Sequence, residues 1–224
     1  MEKLLLSEIA HCLNAECPEE KVITEISTDT RNLPAGCLFI AIKGERFDGH
    51  AFIKQAIENG AAAAVSEYPV DGCPCIVVKN TRTALLKLAK YYRSKFNPIL
   101  VGITGSVGKT TTKEMIALVL SEKYKTLKTQ GNLNNEIGLP KTLFNLDSSY
   151  QAAVIEMGMS DFGEIERLSN TAVPTIGVIT NIGFSHIENL KSQEGILKAK
   201  LEILSGMKSD APLIVNGDDR YLAP

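Results

Sequence analysis

Residues 99–111, reading Ile-Leu-Val-Gly-Ile-Thr-Gly-Ser-Val-Gly-Lys-Thr-Thr, set the tightest limit on what this chain can fold into. An apolar run suited to a buried strand passes through two glycines and a lysine into a helical pattern at 111–123. Strand, glycine turn and helix N-terminus in that order form a cradle for anions. The glycines let backbone N–H groups turn inward, and the helix end adds a partial positive charge. Over Thr104, Gly105, Ser106, Val107, Gly108, Lys109, Thr110 and Thr111, the lysine is placed to reach the β- and γ-phosphates of a nucleotide, and the Thr110 hydroxyl to ligate Mg²⁺. The spacing departs from the strict GxxxxGK[ST] pattern, because position 103 is isoleucine and the first loop glycine comes at 105. A glycine turn opening an ordinary helix is the plainer alternative.

The rest of the chain alternates short apolar runs with helical patterns. From Ile99 on, strands are expected at 99–104, 125–129, 152–157, 174–180 and 212–216, with helices at 111–123 and 193–206. Such alternation predicts an α/β fold with a parallel sheet covered on both faces. Residues 1–80 read as a smaller α/β domain. MEKLLLSEIAHCLN has an amphipathic helix pattern, VITEIST, CLFIAIKG and CIVVKN read as strands, and AFIKQAIENGAAAAV as a helix closed by Gly60. Residues 81–96 space Leu85, Leu88 and Tyr92 for a helix that Thr81 caps and Asn97-Pro98 stops. That helix opens a second domain, 81–224.

Twenty-four Lys and Arg stand against 26 Asp and Glu, so the net charge is only −2. Nucleic acid is not an expected partner, and any anion must be held by local geometry. The N-terminal apolar run is three leucines, too short for a signal peptide or a membrane span, so no membrane insertion and a cytoplasmic location are expected. Cys12, Cys17, Cys37, Cys73 and Cys75 lack zinc-knuckle spacing and read as reduced thiols.

In an open parallel sheet, ligands gather outside the carboxyl ends of the strands. Glu156 ends one strand, Asn181 ends another with His186 just beyond, and Asn216, Asp218 and Asp219 follow a third. Together they suit an ATP–Mg²⁺ site. Plainer alternatives stand beside each: Glu156 as a helix cap, His186 as a structural histidine, Asn216 and Asp218 as a turn. Lys200 is different. Its helical neighbours Ile196, Leu197, Ile203 and Leu204 are all apolar, which places it on the buried stripe. Burial favours the neutral amine, and a neutral amine reacts with CO₂ to give a carbamate, an anionic Mg²⁺ ligand. The alternative is that Lys200 snorkels to the helix edge.

With those residues in view, VGITGSVGKTTTKEMI resembles the phosphate loop of the Mur ligase family, which reads TGxxGKTT. GNLNNEIGLPKTL (131–143) and IEMGMSDFGEIERL (155–168) are similar to the members that add D-alanyl-D-alanine. TNIGFSHIENL and KAKLEIL resemble the family's histidine and carbamylated-lysine segments, and NGDD a segment approaching the adenine. STDTRNLPAGCLFIAIKGERFDGHAFIKQAIENGA resembles the uridine-nucleotide module. The likeness runs from about residue 27 to 219.

The resemblance implies ATP-dependent amide synthesis through an acyl phosphate, with UDP-MurNAc-tripeptide, ATP and D-Ala-D-Ala as substrates and Mg²⁺ as cofactor. By the same likeness Lys109, Lys200 and His186 are catalytic, and Thr110, Glu156, His186 and carbamylated Lys200 hold the metal. ATP lies on residues 104–111 and Asn216. Thr28, Thr30, Arg31, Lys43, Gly44, Glu45, Arg46 and Phe47 contact the UDP moiety, while Asn132, Asn134 and Asn135 sit between the phosphates and the sugar-peptide. A monomer is expected. Family members carry a further carboxy-terminal, amine-binding domain, so this stretch alone is expected not to ligate. A diaminopimelate- or lysine-adding ligase, a folylpolyglutamate-type synthetase, and a noncatalytic nucleotide-binding module stay open as alternatives.

Overall fold

The structure, a computed structural model, describes residues 1–44 and 47–223. The chain divides into two compact units, Met1–Tyr91 and Tyr92–Pro224.

The first unit opens with a strand where a helix was expected. β1 (Leu4–Leu5) runs antiparallel to β2 (Val22–Ile23), and only then does helix α1 (Leu6–Leu13) begin. Pairing Leu4 with Ile23 buries both completely, which outweighs one more turn of helix. β3 (Ile26–Ser27), β4 (Leu38–Ile40), β5 (Ala63–Ser66) and β6 (Cys75–Val77) form a parallel sheet in that order. Between β4 and β5 lie a 3-10 turn (Gly49–Phe52) and helix α2 (Ile53–Glu58). The alanine run expected to be helical is thus a strand. Its small side chains fit a fully buried sheet position beside Cys37, Phe39 and Ile53. The helix propensity of alanine, a few tenths of a kcal/mol per residue, yields to that burial. Helix α3 (Thr81–Ser94) is capped by Asn80, whose Oδ1 accepts the Thr83 N–H at 2.8 Å. Thr81, the expected cap, instead donates its N–H to Glu67 Oε1 at 3.1 Å.

The second unit takes the end of α3. Tyr92 donates its hydroxyl to the Leu146 carbonyl at 2.6 Å, and the buried Arg93 guanidinium donates to the carbonyls of Ala172, Val173 and Phe96. Then follow β7 (Ile99–Thr104), α4 (Lys109–Ser121), β8 (Thr126–Lys128), α5 (Gly138–Leu143), β9 (Ala152–Glu156) and α6 (Glu164–Ala172). β10 (Ile176–Ile179), α7 (Ile187–Leu190), α8 (Gln193–Leu201), a 3-10 turn (Glu202–Gly206) and β11 (Leu213–Val215) complete it. The sheet is parallel throughout, in the order β11-β10-β7-β9-β8. Every β9 residue is buried, as a sheet covered on both faces requires. Val101 and Ile103 of β7 pack with Val154, Val178 and Ala117, which places α4 over that face. β8 and β9 lie to one side of β7, β10 and β11 to the other. The switch point, where a crevice opens, is therefore at the carboxyl ends of β7 and β10. All five expected strands are present, each within two residues of its expected ends. The helix expected over 193–206 ends as α-helix at Leu201, and the tighter turn after it rotates Leu204 outward to 44% exposure.

Candidate active site

The loop between β7 and α4 needs its glycines for two separate reasons. Gly105 has φ +150°, and a Cβ there would sit 1.8 Å from Thr180 Oγ1. Gly108 has φ +79° in open space, so conformation rather than crowding selects it. α4 starts at Lys109, two residues before the sequence pattern, and its first intrahelical bond runs from the Thr112 N–H to the Gly108 carbonyl at 2.9 Å. Among the described residues, the N–H groups of Gly108, Lys109, Thr110 and Thr111 have no acceptor. Four open amides at the start of a thirteen-residue helix are thus free to donate to an anion. Lys109 curls back, donating from Nζ to the Gly105 carbonyl at 2.8 Å. Burial lowers its pKa, and the Glu156 carboxylate partly opposes that shift.

Glu156 joins the loop to the sheet. It is 2% exposed, and Ile103 is its neighbour in register on β7. Its Oε2 accepts from Thr110 Oγ1 at 2.9 Å, its Oε1 from Asn134 Nδ2 at 2.9 Å, and its N–H donates to Thr129 Oγ1 at 3.0 Å. It is not a helix cap: Glu202 fills that place, accepting from the Gly163 and Glu166 amides at the start of α6. Two oxygens 2.9 Å apart suit adjacent positions around an octahedral Mg²⁺, whose ligands stand about 2.0–2.1 Å from the ion. The donor set thus fits a hard divalent cation.

Lys200 is 2% exposed, so it does not snorkel. Burial first, and the Lys109 charge second, push its pKa down to about 7. Among the described residues its Nζ has no hydrogen-bond or ion-pair partner. Lys113, one turn beyond Lys109, is equally buried but satisfied: its Nζ donates to the Thr129 carbonyl at 2.8 Å and pairs with Glu114 at 3.0 Å. Sequence reasoning missed Lys113. The signal was available, since Ile116, Ala117 and Leu120 put it on the apolar stripe of α4 by the reasoning used for Lys200.

Hydrogen bonds bring Thr110, Glu156 and Asn134 together, with Lys109 in the field of Glu156 and Lys200 in that of Lys109. It does not bond His186 or Asn216 to that group. His186 is exposed at φ +62°, at the start of α7, with its carbonyl accepting the Asn189 and Leu190 amides. Asn216 is exposed, its Oδ1 accepting the Asp218 N–H at 3.0 Å in a turn. Among the described residues no three His, Cys, Asp or Glu side chains cluster as a metal site. Asn135 opens α5 by accepting the Ile137 and Gly138 amides, and exposed Asn132 offers its carbonyl to the Asn134 N–H at 2.7 Å.

In the first unit, the residues expected at a uridine nucleotide follow the carboxyl ends of two adjacent strands. Thr28, Thr30 and Arg31 come after β3, with Arg31 ion-paired to Asp29 at 2.5 Å. Lys43, Gly44 and Phe47 come after β4, where Lys43 bridges Asp48 and the Gly44 N–H donates to the Phe47 carbonyl. Glu45 and Arg46 lie outside the described residues. A cavity of about 900 Å³ in this unit is lined instead by Asn14, Glu67, Val77, Lys79, Thr83 and Lys87 among others. All five cysteines are free thiols, and among the described residues no helix is long and apolar enough to cross a membrane.

Fold and site together define a parallel α/β domain with a glycine loop of open amides after its central strand β7 and a buried carboxylate at the end of the adjacent β9. Residues 103–223 match the Mur ligase middle domain, and residues 22–93 match the Mur ligase family catalytic domain. The UDP-N-acetylmuramoyl-tripeptide–D-alanyl-D-alanine ligase of Bacillus subtilis is 50% identical over 208 residues, covering 91% of this chain and 46% of its own length. Its Escherichia coli counterpart is 42% identical over 221 residues, covering 98% and 49%. Among solved structures, MurF from Acinetobacter baumannii superposes with a TM-score of 0.94 at 36% identity, covering all of this chain and 51% of its own. MurF from Thermotoga maritima in complex with ADP gives 0.82 at 37% identity, covering 87% and 46%. The chain belongs to the Mur ligase family. It spans about half the length of the curated relatives it matches.

Proposed function

We propose that the protein carrying this chain is a cytoplasmic, monomeric, ATP-dependent ligase that joins D-Ala-D-Ala to UDP-MurNAc-tripeptide. The choice within the family rests on the relatives of that name at 36–50% identity. A structure of the diaminopimelate-adding ligase is 20% identical and shares the fold. Residues 81–224 serve ATP, and residues 1–80 serve the UDP-muramoyl peptide through Thr28, Thr30, Arg31, Lys43, Gly44, Glu45, Arg46 and Phe47. Asn132, Asn134 and Asn135 lie between the two ligands, and Asn216 sits by the adenine.

The observation that carries the reading is the Thr110–Glu156 hydrogen bond, which sets a hydroxyl and a buried carboxylate beside Lys109 and four open amides. The reaction asks for that arrangement. Transfer of the terminal phosphoryl group to a carboxylate crowds anionic oxygens together, and positioned donors lower the barrier. The open amides and Lys109 hold the phosphates in place. Thr110, Glu156, His186 and Lys200, the last as its carbamate, would hold Mg²⁺. When bound, the ion neutralises charge on the phosphates. Glu156 also keeps Asn134 in place, at the edge where the acceptor carboxylate would arrive. The acyl phosphate is then attacked by the amine of the dipeptide, releasing phosphate. Phosphate release by the intact protein tests this, with UDP-MurNAc-tripeptide, ATP, Mg²⁺ and D-Ala-D-Ala all required. Turnover that proceeds without the dipeptide would refute it.

A further inference from the structure

The end of β10 grips the loop that follows β7. Asn181 Oδ1 accepts two consecutive loop N–H groups, from Ser106 at 3.1 Å and Val107 at 3.0 Å. The Asn181 backbone carbonyl accepts from Ser106 N–H as well, at 3.1 Å. Thr180 Oγ1 donates to the Val107 carbonyl at 2.6 Å, and Ser185 Oγ to the Ser106 carbonyl at 3.2 Å. The Gly183 N–H donates to Ser106 Oγ at 2.9 Å. Both N–H groups and both carbonyls of Ser106-Val107 are therefore committed to one neighbouring segment. The next four N–H groups, Gly108 to Thr111, are committed to nothing among the described residues.

We infer that Asn181 is the positioning residue that divides the loop into an anchored half and a phosphate-binding half. This rests on the reading that the loop binds a nucleotide. The chemistry of the side chain supports it. Two converging N–H donors need an oxygen with two free lone pairs, and a carboxylate or a carboxamide offers one. A carboxylate would make the stronger bonds, yet it would set a negative charge beside the phosphates. The carboxamide supplies the same acceptor without the charge. With Ser106 and Val107 turned toward Asn181, phosphate oxygens are confined to the Gly108–Thr111 amides and Lys109. The segment also reaches the rest of the site. The Ile182 N–H donates to Asp219 Oδ2 at 2.7 Å, and its carbonyl accepts from Gln193 Nε2, in the first turn of α8, at 3.1 Å. α8 carries Lys200.

The test is calorimetric titration of the intact protein with Mg²⁺–ADP and Mg²⁺–ATP, comparing wild type with Asn181→Ala and Asn181→Asp. Asn181→Ala orphans the Val107 amide, leaves the Ser106 amide only the backbone carbonyl of residue 181, and lets the loop drift, so both affinities fall about tenfold or more. Asn181→Asp keeps both bonds and adds charge. It binds ATP less well than ADP relative to wild type, and added salt shrinks its deficit. A merely structural asparagine would change neither the ATP-to-ADP ratio nor the salt dependence. Should Asn181→Ala fail to fold, Asn181→Asp decides alone. Wild-type affinity for both nucleotides in either folded variant overturns the inference while leaving the nucleotide reading intact. A wild-type protein that binds neither nucleotide overturns the reading beneath it.

Discussion

Both units build a parallel sheet and gather polar residues beyond its carboxyl ends, yet only the second leaves some of its buried polar groups open. In the first unit the buried groups satisfy one another. His50 is 5% exposed; its Nδ1 lies 2.5 Å from Asp48 Oδ1, its Nε2 accepts the Glu67 N–H at 3.1 Å, and its ring stacks on Tyr68. Those partners select the neutral tautomer with hydrogen on Nδ1. Buried Thr81 donates to Glu67, and buried Ser66 to the Tyr68 carbonyl. In the second unit Arg93 and Lys113 are satisfied in the same way, but the costly groups at and around the glycine loop are left open. Among the described residues Lys200 is buried without a hydrogen-bond partner, Lys109 hydrogen-bonds only a backbone carbonyl, and four amides face no acceptor. Even the Thr104 hydroxyl, fully buried at the end of β7, has no hydrogen-bond partner among the described residues. A satisfied network stabilises a fold, whereas an unsatisfied one waits for a ligand.

Substitutions can break that contrast. The largest effect is expected at Lys109. Lys109→Ala should lower kcat/KM of ligation by about 10²- to 10³-fold, because it removes a donor aimed at developing charge. Retained activity in a steady-state phosphate-release assay would show that the loop lysine is not at the reacting phosphates.

Lys200 should shape stability on the alkaline side. Its folded pKa, about 7, lies below the ordinary lysine value, so between roughly pH 7 and 10 the unfolded chain binds more protons. Stability should therefore rise with pH across that window, by up to a few kcal/mol, and level off below it. Urea unfolding in CO₂-free buffer measures the slope. Lys200→Met should abolish it, and a slope that survives the substitution assigns the effect elsewhere.

Gly105→Ala comes next. The added methyl must displace Thr180 Oγ1 and accept a left-handed φ, at a cost of about 2 kcal/mol in unfolding free energy together with weakened nucleotide binding.

The smallest effect belongs to the satisfied unit. The His50 N–H and ring hold the Asp48 carboxyl below its usual pKa, so its contribution is present above about pH 4 and is lost as pH falls below that. Asp48→Asn should flatten the acid limb of the unfolding curve slightly and leave ATP affinity unchanged. A drop in ATP affinity would show that the two units are not independent in this respect.

Much of this is legible in the sequence alone. Local patterning determined the order of strands and helices after Ile99, the glycine loop and the burial of Lys200, because strand and helix periods and glycine conformations are properties of neighbouring residues. The same periodicity held the evidence for Lys113. Where local preference met a competing burial it failed: Leu4–Leu5 and Ala63–Ser66 became strands because pairing partners far along the chain cover them. Only the tertiary structure could show that Glu156 holds Thr110 and Asn134, that Asn181 anchors Ser106 and Val107, and that His186 and Asn216 stand outside those bonds. Those facts depend on strand order. β9 and β10 flank β7 in space although 48 and 72 residues separate Thr104 from Ala152 and Ile176 in sequence, and no local pattern encodes which strand lies beside which.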